Sequence, residues 1–278
     1  MSERLYDLCL RYQDRGNVTN GFQEVSWLVS HMLGCSNAQI HTMTISDFPE
    51  IKQKKLSQAL SQYSSGVPLG YILGSVWFYD LEVIVRPGVL IPRQDTECLV
   101  DEVLKRVNRG DKILELGVGS GAVSCAIAAH TKDLNVQIMA VDKSDIAISV
   151  TQENLKRHNI TDKVALLEAD WFDLKLTDPV DIIVSNPPYI TPSDTRVSDQ
   201  VRQYEPKEAL FAKDQGLSDI KQILTVGQRL LNKGGHLVIE HGDLQQEEVI
   251  KLFGDFGYTQ VESNEYNGLP RYICGRRQ

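Results

Sequence analysis

One stretch in the second half of the chain carries the groups best suited to chemistry, D-I-I-V-S-N-P-P-Y-I at 181–190. The β-branched run at 182–184 predicts a short buried strand. Pro187 and Pro188 end that strand, because proline lacks an N–H group and has a fixed φ. The sequence therefore predicts a stiff loop at 186–189, at the carboxyl end of a buried strand, where open α/β sheets bind ligands.

The groups of this loop predict what it binds. The side chain of Asn186 offers a carbonyl acceptor, and Pro187 offers a backbone carbonyl of nearly fixed direction. Two such acceptors can hold both hydrogens of a planar –NH2 group, and the ring of Tyr189 can lie against its face. We predict that Asn186, Pro187 and Tyr189 act in catalysis and, together with Pro188, bind a flat amine or amide. The alternative is a turn that merely ends a strand, but four such residues directly after an apolar strand favour a site.

A second candidate site is a glycine-rich turn between a strand at 113–116 and a helix at 122–130. The turn consists of Gly117, Val118, Gly119, Ser120 and Gly121. Glycines let the backbone approach a ligand over a helix N-terminus, so the unit predicts nucleotide binding. A strand predicted at 136–141 ends at Asp142, whose carboxylate can accept hydrogen bonds from ribose hydroxyls. Nicotinamide enzymes and methyltransferases share this arrangement, and it does not separate them.

Asp170 and Trp171 follow another predicted strand, at 164–167. Trp171 could stack on an adenine ring, and Asp170 could accept a hydrogen bond from the exocyclic amine. The alternative for Trp171 is an aromatic of the hydrophobic core. Asp170 and Trp171, together with Asn186, complete our list of candidate cofactor-binding residues.

The pattern of the chain predicts how these loops are positioned. Residues 1–70 predict a small helical bundle, with Ser2 and Asn20 as N-caps and Gly34 as a helix stop. Residues 71–92 predict a linker with a β-hairpin that turns near residues 79–80. From residue 93 to 278, alternating β and α elements predict a doubly wound, mostly parallel sheet of seven strands, and hence an α/β fold. Its further helices are predicted near 96–108, 145–158, 216–231 and 244–254, and its last strands near 237–240, 258–263 and 270–275.

Composition excludes several classes of protein. The chain has 278 residues and a net charge of −8, which argues against a protein that coats duplex nucleic acid. Its five cysteines are widely spaced and form no C-x-x-C pair, which is typical of reduced thiols and gives no zinc signature. The charged N-terminus and the lack of a long apolar run indicate neither a signal peptide nor a membrane span. We expect a cytoplasmic monomer that uses no metal.

Taken together, the motifs resemble the family of peptide chain release factor N5-glutamine methyltransferases, among the class I S-adenosylmethionine-dependent methyltransferases. The resemblance covers nearly the whole chain. It rests on G-x-P-x-x-Y-I-x-G at 66–74, V-L-I-P-R-x-x-T-E at 89–97, E-L-G-x-G-S-G at 115–121, D-W-F at 170–172, N-P-P-Y-I at 186–190, Y-E-P-x-x-A-L at 204–210 and G-G-x-x-x-x-E-H-G at 234–242. The chain departs from the family at Gln94, where proline is common, and at Glu115, where aspartate is common.

The resemblance implies a cofactor, S-adenosyl-L-methionine, and a substrate, the glutamine of the G-G-Q tripeptide in release factors 1 and 2. It implies that 117–121 line the methionine and ribose side of the cofactor, that Asp142 holds the ribose, and that Trp171 lies near the adenine. Asn186 would sit between cofactor and substrate, and the N-terminal bundle would help to seat the release factor.

Four other functions compete with this interpretation. N-P-P-Y also occurs in methyltransferases that act on DNA adenine, although no long basic recognition segment is present here, and a different protein glutamine is a further alternative substrate. A nicotinamide oxidoreductase would explain the glycine turn but not N-P-P-Y. A non-enzymatic protein that binds release factors or ribosomes would not need the intact loop.

Overall fold

The structure, a computed structural model, describes residues 3–15 and 20–278. The chain forms two compact units. The first, here called the helical unit, comprises Met1–Ser75 and Ser198–Tyr204. The second, here called the sheet unit, comprises Val76–Val197 and Glu205–Gln278. No helix in the described part of the chain is long and apolar enough to cross a membrane.

The helical unit is built from amphipathic helices around their own apolar core. Its helices are α1 (Leu5–Tyr12), α2 (Gly21–Leu33), α3 (Asn37–Ile40), α4 (Glu50–Ser64), α5 (Leu69–Leu73) and, much later in the chain, α9 (Asp199–Tyr204). Asn20 holds the N-cap position of α2, though without a side-chain cap bond, and Gly34 ends this helix in the left-handed region with φ 69°. Helix α1 begins after Arg4, and Ser2, the predicted cap, lies outside the described residues.

The predicted hairpin forms from β1 (Ser75–Phe78) and β2 (Leu81–Ile84), which turn at Tyr79, a residue with φ 59°. It is held to the sheet unit by buried polar contacts. The side chain of Asn154 accepts a hydrogen bond from the Ile84 N–H at 2.7 Å and donates to the Ile84 carbonyl at 3.0 Å. The same amide group donates to the Ser120 carbonyl at 2.8 Å, so one side chain ties the hairpin to the glycine-rich turn.

The sheet unit confirms the predicted α/β fold. Its strands are β3 (Lys112–Leu116), β4 (Gln137–Asp142), β5 (Val164–Glu168), β6 (Val180–Ser185), β7 (Leu231–Glu240), β8 (Tyr258–Tyr266) and β9 (Leu269–Arg277). Within the described residues these make one seven-stranded sheet of order β5-β4-β3-β6-β7-β9-β8. The first five strands pair in parallel, and β9 runs antiparallel to both β7 and β8. Its helices are α6 (Glu97–Arg106), α7 (Ala122–His130), α8 (Asp145–Arg157), α10 (Ser218–Leu230) and α11 (Gln246–Asp255).

Successive side chains of the central strands point to opposite faces of the sheet, so each strand contributes to two separate apolar clusters. Ile182 and Val184 belong to one buried apolar cluster, and Ile183 belongs to the other. Successive strand residues point to opposite faces, so a strand covered on both sides needs a continuous apolar run. The β-branched run at 182–184 meets this need, which is why the sequence predicted it as a buried strand.

Strand β7 and helix α9 are two of the elements in which the structure differs from the prediction. Strand β7 begins at Leu231 rather than 237, because Leu231 already pairs with Val180 and a register shift then accommodates the residues before His236. Helix α9 was not predicted, since it has only six residues and contributes no buried side chain.

Asn154→Ala tests how the hairpin is attached. The substitution leaves buried groups of Ile84 and Ser120 without their partners, and we expect it to lower the free energy of unfolding by about 3 kcal/mol. Urea unfolding checks this. Gln152→Ala, on the exposed face of the same helix, is the matched control and should change stability by less than about 0.5 kcal/mol. A loss of equal size in both variants would contradict the role of Asn154.

Candidate active site

The two candidate loops meet where the direction of the sheet changes. Strand β3 pairs with β4 on one side and with β6 on the other, and this is the topological switch point at which doubly wound sheets bind ligands. Leu116 lies opposite Ser185 in the register, so the glycine-rich turn and the loop at 186–189 leave the sheet side by side. The Ser185 hydroxyl donates to the Leu116 carbonyl at 2.6 Å.

The glycine-rich turn needs glycine for backbone and packing reasons. Gly117, Gly119 and Gly121 all have positive φ values. A Cβ atom at Gly121 would lie 2.7 Å from Thr151 Cγ2, so this glycine allows α7 to pack against α8. A Cβ atom at Gly119 would meet no atom within 4 Å, so the turn faces open space there. Gly121 therefore serves packing, while Gly119 leaves room for a ligand.

Asp142 stands at the end of β4 beside this open space. Its carboxylate accepts hydrogen bonds from the Gly119 N–H at 2.9 Å and from the Ser144 N–H at 3.0 Å. Burial raises the pKa of Asp142, and the backbone hydrogen bonds oppose that rise. Each carboxylate oxygen keeps a further lone pair for a ligand donor, so the residue is placed and oriented as a hydroxyl acceptor.

A cavity of about 510 Å³ joins these features. Most of the predicted site residues line it: Gly117, Val118, Gly119, Ser120, Asp142, Trp171, Asn186 and Pro188. Four predicted residues are not among its lining residues: Gly121, Asp170, Pro187 and Tyr189. The structure thus brings together loops that follow β3, β4, β5 and β6, as expected for the carboxyl edge of a parallel sheet.

Trp171 serves both the core and the cavity. It is 6% exposed, packs in one of the two apolar clusters of the sheet unit, and also lines the cavity. Its indole Nε1 is buried without a hydrogen-bond partner among the described residues, which is unusual for a tryptophan. The carboxylate of Asp170, by contrast, accepts a hydrogen bond from the Phe172 N–H at 2.9 Å. A ligand acceptor beside Trp171 would satisfy the indole.

In the loop at 186–189, the amide of Asn186 is oriented by a neighbour. Its Nδ2 donates to the Thr96 hydroxyl at 3.0 Å, which turns Oδ1 away from that contact. Within the described part of the chain, neither Asn186 Oδ1 nor the Pro187 carbonyl accepts a hydrogen bond. Two acceptors of the predicted kind are therefore available on successive residues.

Tyr189 is held in place by two hydrogen bonds, one at its hydroxyl and one at its carbonyl. Its hydroxyl donates to Glu240 Oε1 at 3.0 Å, and its carbonyl accepts from Gln245 Nε2 at 3.1 Å. Burial, followed by the nearby Glu240 carboxylate, raises the pKa of Tyr189. The phenol thus stays neutral, and the ring is held in place by both ends of the residue.

Sequence reasoning assigned no role to the segment at 88–96, which forms another wall of the cavity with Gly88, Val89, Leu90, Pro92 and Thr96. The segment is held by Glu205, which accepts from Arg93 at 2.5 Å and from the Ile91 N–H at 3.1 Å. Glu205 is followed by Pro206, a further lining residue. The I-P-R-x-x-T-E and Y-E-P motifs are visible in the sequence. The contact between these two distant segments is visible only in the tertiary structure.

Glu115 is a further lining residue that the sequence did not assign. It is 4% exposed and accepts a hydrogen bond from the Ser124 hydroxyl. Burial raises the pKa of Glu115 to about 8, with a smaller contribution from Asp142. A cationic ligand group in the cavity would favour its ionised form.

Comparison with known proteins identifies the family. A methyltransferase domain matches residues 107–272, and the PrmC N-terminal domain matches residues 13–74. Release factor glutamine methyltransferases from several bacteria are similar over most of the chain. The one from Geobacter sulfurreducens is 33% identical over 98% of this chain and 95% of its own, and the one from Salmonella typhimurium is 34% identical over 90% of each. The chain belongs to the family of release factor glutamine methyltransferases.

Solved structures agree at the level of the fold. A methyltransferase from Pyrococcus furiosus superimposes with a TM-score of 0.53 at 16% identity, over 72% of this chain and 90% of its own. The matched part of this chain therefore shares the fold of that methyltransferase. The resemblance inferred from the motifs is confirmed for the family, while the roles of individual site residues stay predictions.

Glu115→Gln tests whether burial in the cavity raises the pKa of Glu115. In the folded protein the pKa of Glu115 is raised from 4.5 to about 8, so its stabilising contribution is full below 4.5 and is lost as the pH rises through 8. We expect the variant to gain stability relative to wild type between pH 5 and pH 8, on the order of 3 kcal/mol at about 1.4 kcal/mol per pKa unit. Urea unfolding at both pH values measures this.

Glu168→Gln, at an exposed carboxylate at the end of β5, provides the control and should change stability little at either pH. A difference between wild type and Glu115→Gln that is the same at both pH values would contradict the raised pKa.

Proposed function

We propose that this protein transfers a methyl group from S-adenosyl-L-methionine to the side-chain amide nitrogen (N5) of the glutamine in the G-G-Q motif of release factors 1 and 2. S-adenosyl-L-homocysteine is the second product, and the amide nitrogen releases one of its two hydrogens as a proton to the solvent. The observation that supports this most directly is the pair of available acceptors, Asn186 Oδ1 and the Pro187 carbonyl, on a loop whose residues Asn186 and Pro188 line the same cavity as Gly119 and Asp142. The names of the relatives point to the same reaction.

The cavity suits the proposed cofactor on three counts. Asp142 has spare acceptor capacity for ribose hydroxyls, and the turn at Gly119 opens onto free space. Trp171 presents an indole without a partner, and it lines the cavity where an adenine could stack. Glu115 supplies a buried acid in a cavity that would receive a ligand with cationic groups. When bound, the cofactor supplies an activated methyl group on a positively charged sulfur.

The residues of the chain would then act mainly by positioning. An amide nitrogen is a weak nucleophile, because its lone pair is delocalised into the carbonyl. Asn186 Oδ1 and the Pro187 carbonyl would accept its two hydrogens and hold the nitrogen in line with the methyl group. Both acceptors interact more strongly as positive charge develops on the nitrogen, so they favour the transition state over the ground state. Tyr189 would pack against the plane of the amide, with Pro188 completing the cavity wall.

The division of the chain into two units supports separate roles in docking the substrate and in methyl transfer. We propose that residues 1–70 dock the release factor, that 71–92 are a linker, and that 93–278 carry out the transfer. The helical unit has its own apolar core, which supports a separate binding role. We also propose that the protein acts as a monomer in the cytoplasm, where release factors work.

Asn186→Ala is the direct test of the acceptor pair. Removing Oδ1 should lower kcat on a recombinant release factor by at least about 10²-fold, because a preorganised acceptor is lost from the transition state. The melting temperature should stay close to that of wild type. Methylation is measured by mass spectrometry of the G-G-Q peptide.

Asn108→Ala, in an exposed turn before β3, is the matched control and should retain full activity. Near-normal turnover by Asn186→Ala would remove the loop from the mechanism. Methylation of a DNA adenine oligonucleotide in place of the release factor would instead overturn the proposed substrate.

A further inference from the structure

Two buried polar side chains, Thr96 and Glu240, bond to the loop at 186–189, and Thr96 also lines the cavity. We propose that Thr96 and Glu240 are positioning residues that set the polarity of the Asn186 carboxamide, so that its oxygen and not its NH2 group faces the substrate. This inference rests on the proposed function, since an acceptor at this position is useful only if the substrate presents N–H groups.

The contacts run through three elements of the sheet unit. Asn186, after β6, donates from Nδ2 to the hydroxyl of Thr96, at the start of α6, over 3.0 Å. Thr96 makes no N-cap bond to its own helix, so its hydroxyl is not engaged there. Glu240, at the end of β7, accepts from the Tyr189 hydroxyl at 3.0 Å, and the Thr96 side chain is near enough to lower its pKa. Thr96 and Glu240 are 4% and 1% exposed.

The directions of these hydrogen bonds determine the orientation of the amide. The two ends of an asparagine side chain have nearly the same shape, so only hydrogen bonding distinguishes oxygen from nitrogen. An ionised carboxylate can only accept, so Glu240 accepts from the Tyr189 hydroxyl through Oε1, and its unpartnered Oε2 favours a Thr96 hydroxyl whose hydrogen points toward it. Thr96 then has only lone pairs left for Asn186, and Nδ2 must face it. The oxygen of Asn186 is thereby directed to the substrate side.

Protonation of Glu240 would reverse the directions of these hydrogen bonds. A protonated carboxyl can donate to Thr96, whose hydrogen could then turn to Asn186 and favour the flipped amide. The charged and titratable groups around Glu240 are Tyr189, Asp95, Arg271 and Cys98. Burial is the main cause that raises the pKa of Glu240 to about 7, with Asp95 adding to it and Arg271 opposing it. Arg271 lies 2.8 Å from Asp95, so these two charges act on the carboxylate largely as a pair.

The Oε2 atom of Glu240 has no well-aligned hydrogen-bond partner among the described residues. An unsatisfied buried carboxylate oxygen is costly, so its retention here needs a reason other than stability. Control of the hydroxyl directions of Thr96 and Tyr189 is a reason of this kind. Thr96 contacts the loop at 186–189 and Tyr189 belongs to it, and this loop is the one proposed to hold the substrate amide.

Kinetics with a recombinant release factor test the proposal. Thr96→Val keeps the shape of the side chain but removes the hydroxyl, and we expect kcat to fall on the order of 10²-fold, with cofactor affinity within about threefold of wild type. Thr96→Ser restores the hydroxyl and should recover most of kcat. Thr131→Val, which removes a buried hydroxyl bonded to the Ile127 carbonyl at the far end of α7, is the matched control and should leave kcat unchanged.

A second measurement does not depend on the substrate. Selective ¹⁵N labelling of asparagine gives one pair of side-chain amide signals for Asn186, assigned by its loss in Asn186→Asp. In wild type without any ligand, this pair should shift with pH around a midpoint near 7. The shift should disappear in Glu240→Gln, and the pair should exchange faster with solvent in Thr96→Val. If Glu240→Gln does not fold, Thr96→Val decides the question by itself.

The outcomes separate the two proposals. If wild type fails to methylate the release factor but the Asn186 signals respond as expected, the proposed function is wrong and the orientation of the amide stands. If wild type is active while Thr96→Val keeps full kcat, or loses only cofactor affinity, the positioning role is overturned. An Asn186 signal pair that is the same in Thr96→Val and wild type would overturn it as well.

Discussion

The pairing of β3 with β6 at the switch point of the sheet underlies every feature of the site. Because Leu116 lies opposite Ser185, the glycine-rich turn and the loop at 186–189 emerge from the sheet at the same level. The buried hydroxyl of Ser185 bonds to the Leu116 carbonyl and pins this register. A shift by one residue would exchange the faces of the strand, bury the wrong side chains and move Asn186 away from the cavity.

Around this pairing, the site concentrates buried acids that stability alone would not favour. Glu115, Asp142 and Glu240 all have raised pKa values, and burial is the first cause in each case. Buried carboxylates weaken the free protein, so they indicate positions that serve ligands or orient other side chains. In this arrangement Asp142 and Glu115 line the cavity, whereas Glu240 bonds to Tyr189 of the loop at 186–189, and we propose that it acts through hydroxyl groups.

Local pattern was enough to predict elements and loops. The run at 182–184 is apolar on both faces, which only a strand covered from both sides requires, and the helix at 122–130 was predicted with its observed bounds. Local pattern was not enough for β7, whose early start depends on the pairing of Leu231 with Val180. It also could not place Tyr189, since its anchor, Glu240, is 51 residues away along the chain.

The sequence by itself determined the α/β class, the two candidate site loops and the resemblance to the family, because these depend on residue types at short spacing. The tertiary structure alone decided that the segment at 88–96 forms a cavity wall and that Thr96 contacts Asn186. Contacts of this kind join residues far apart in the chain. They depend on strand order and register, which arise from the packing of the whole sheet rather than from any local pattern.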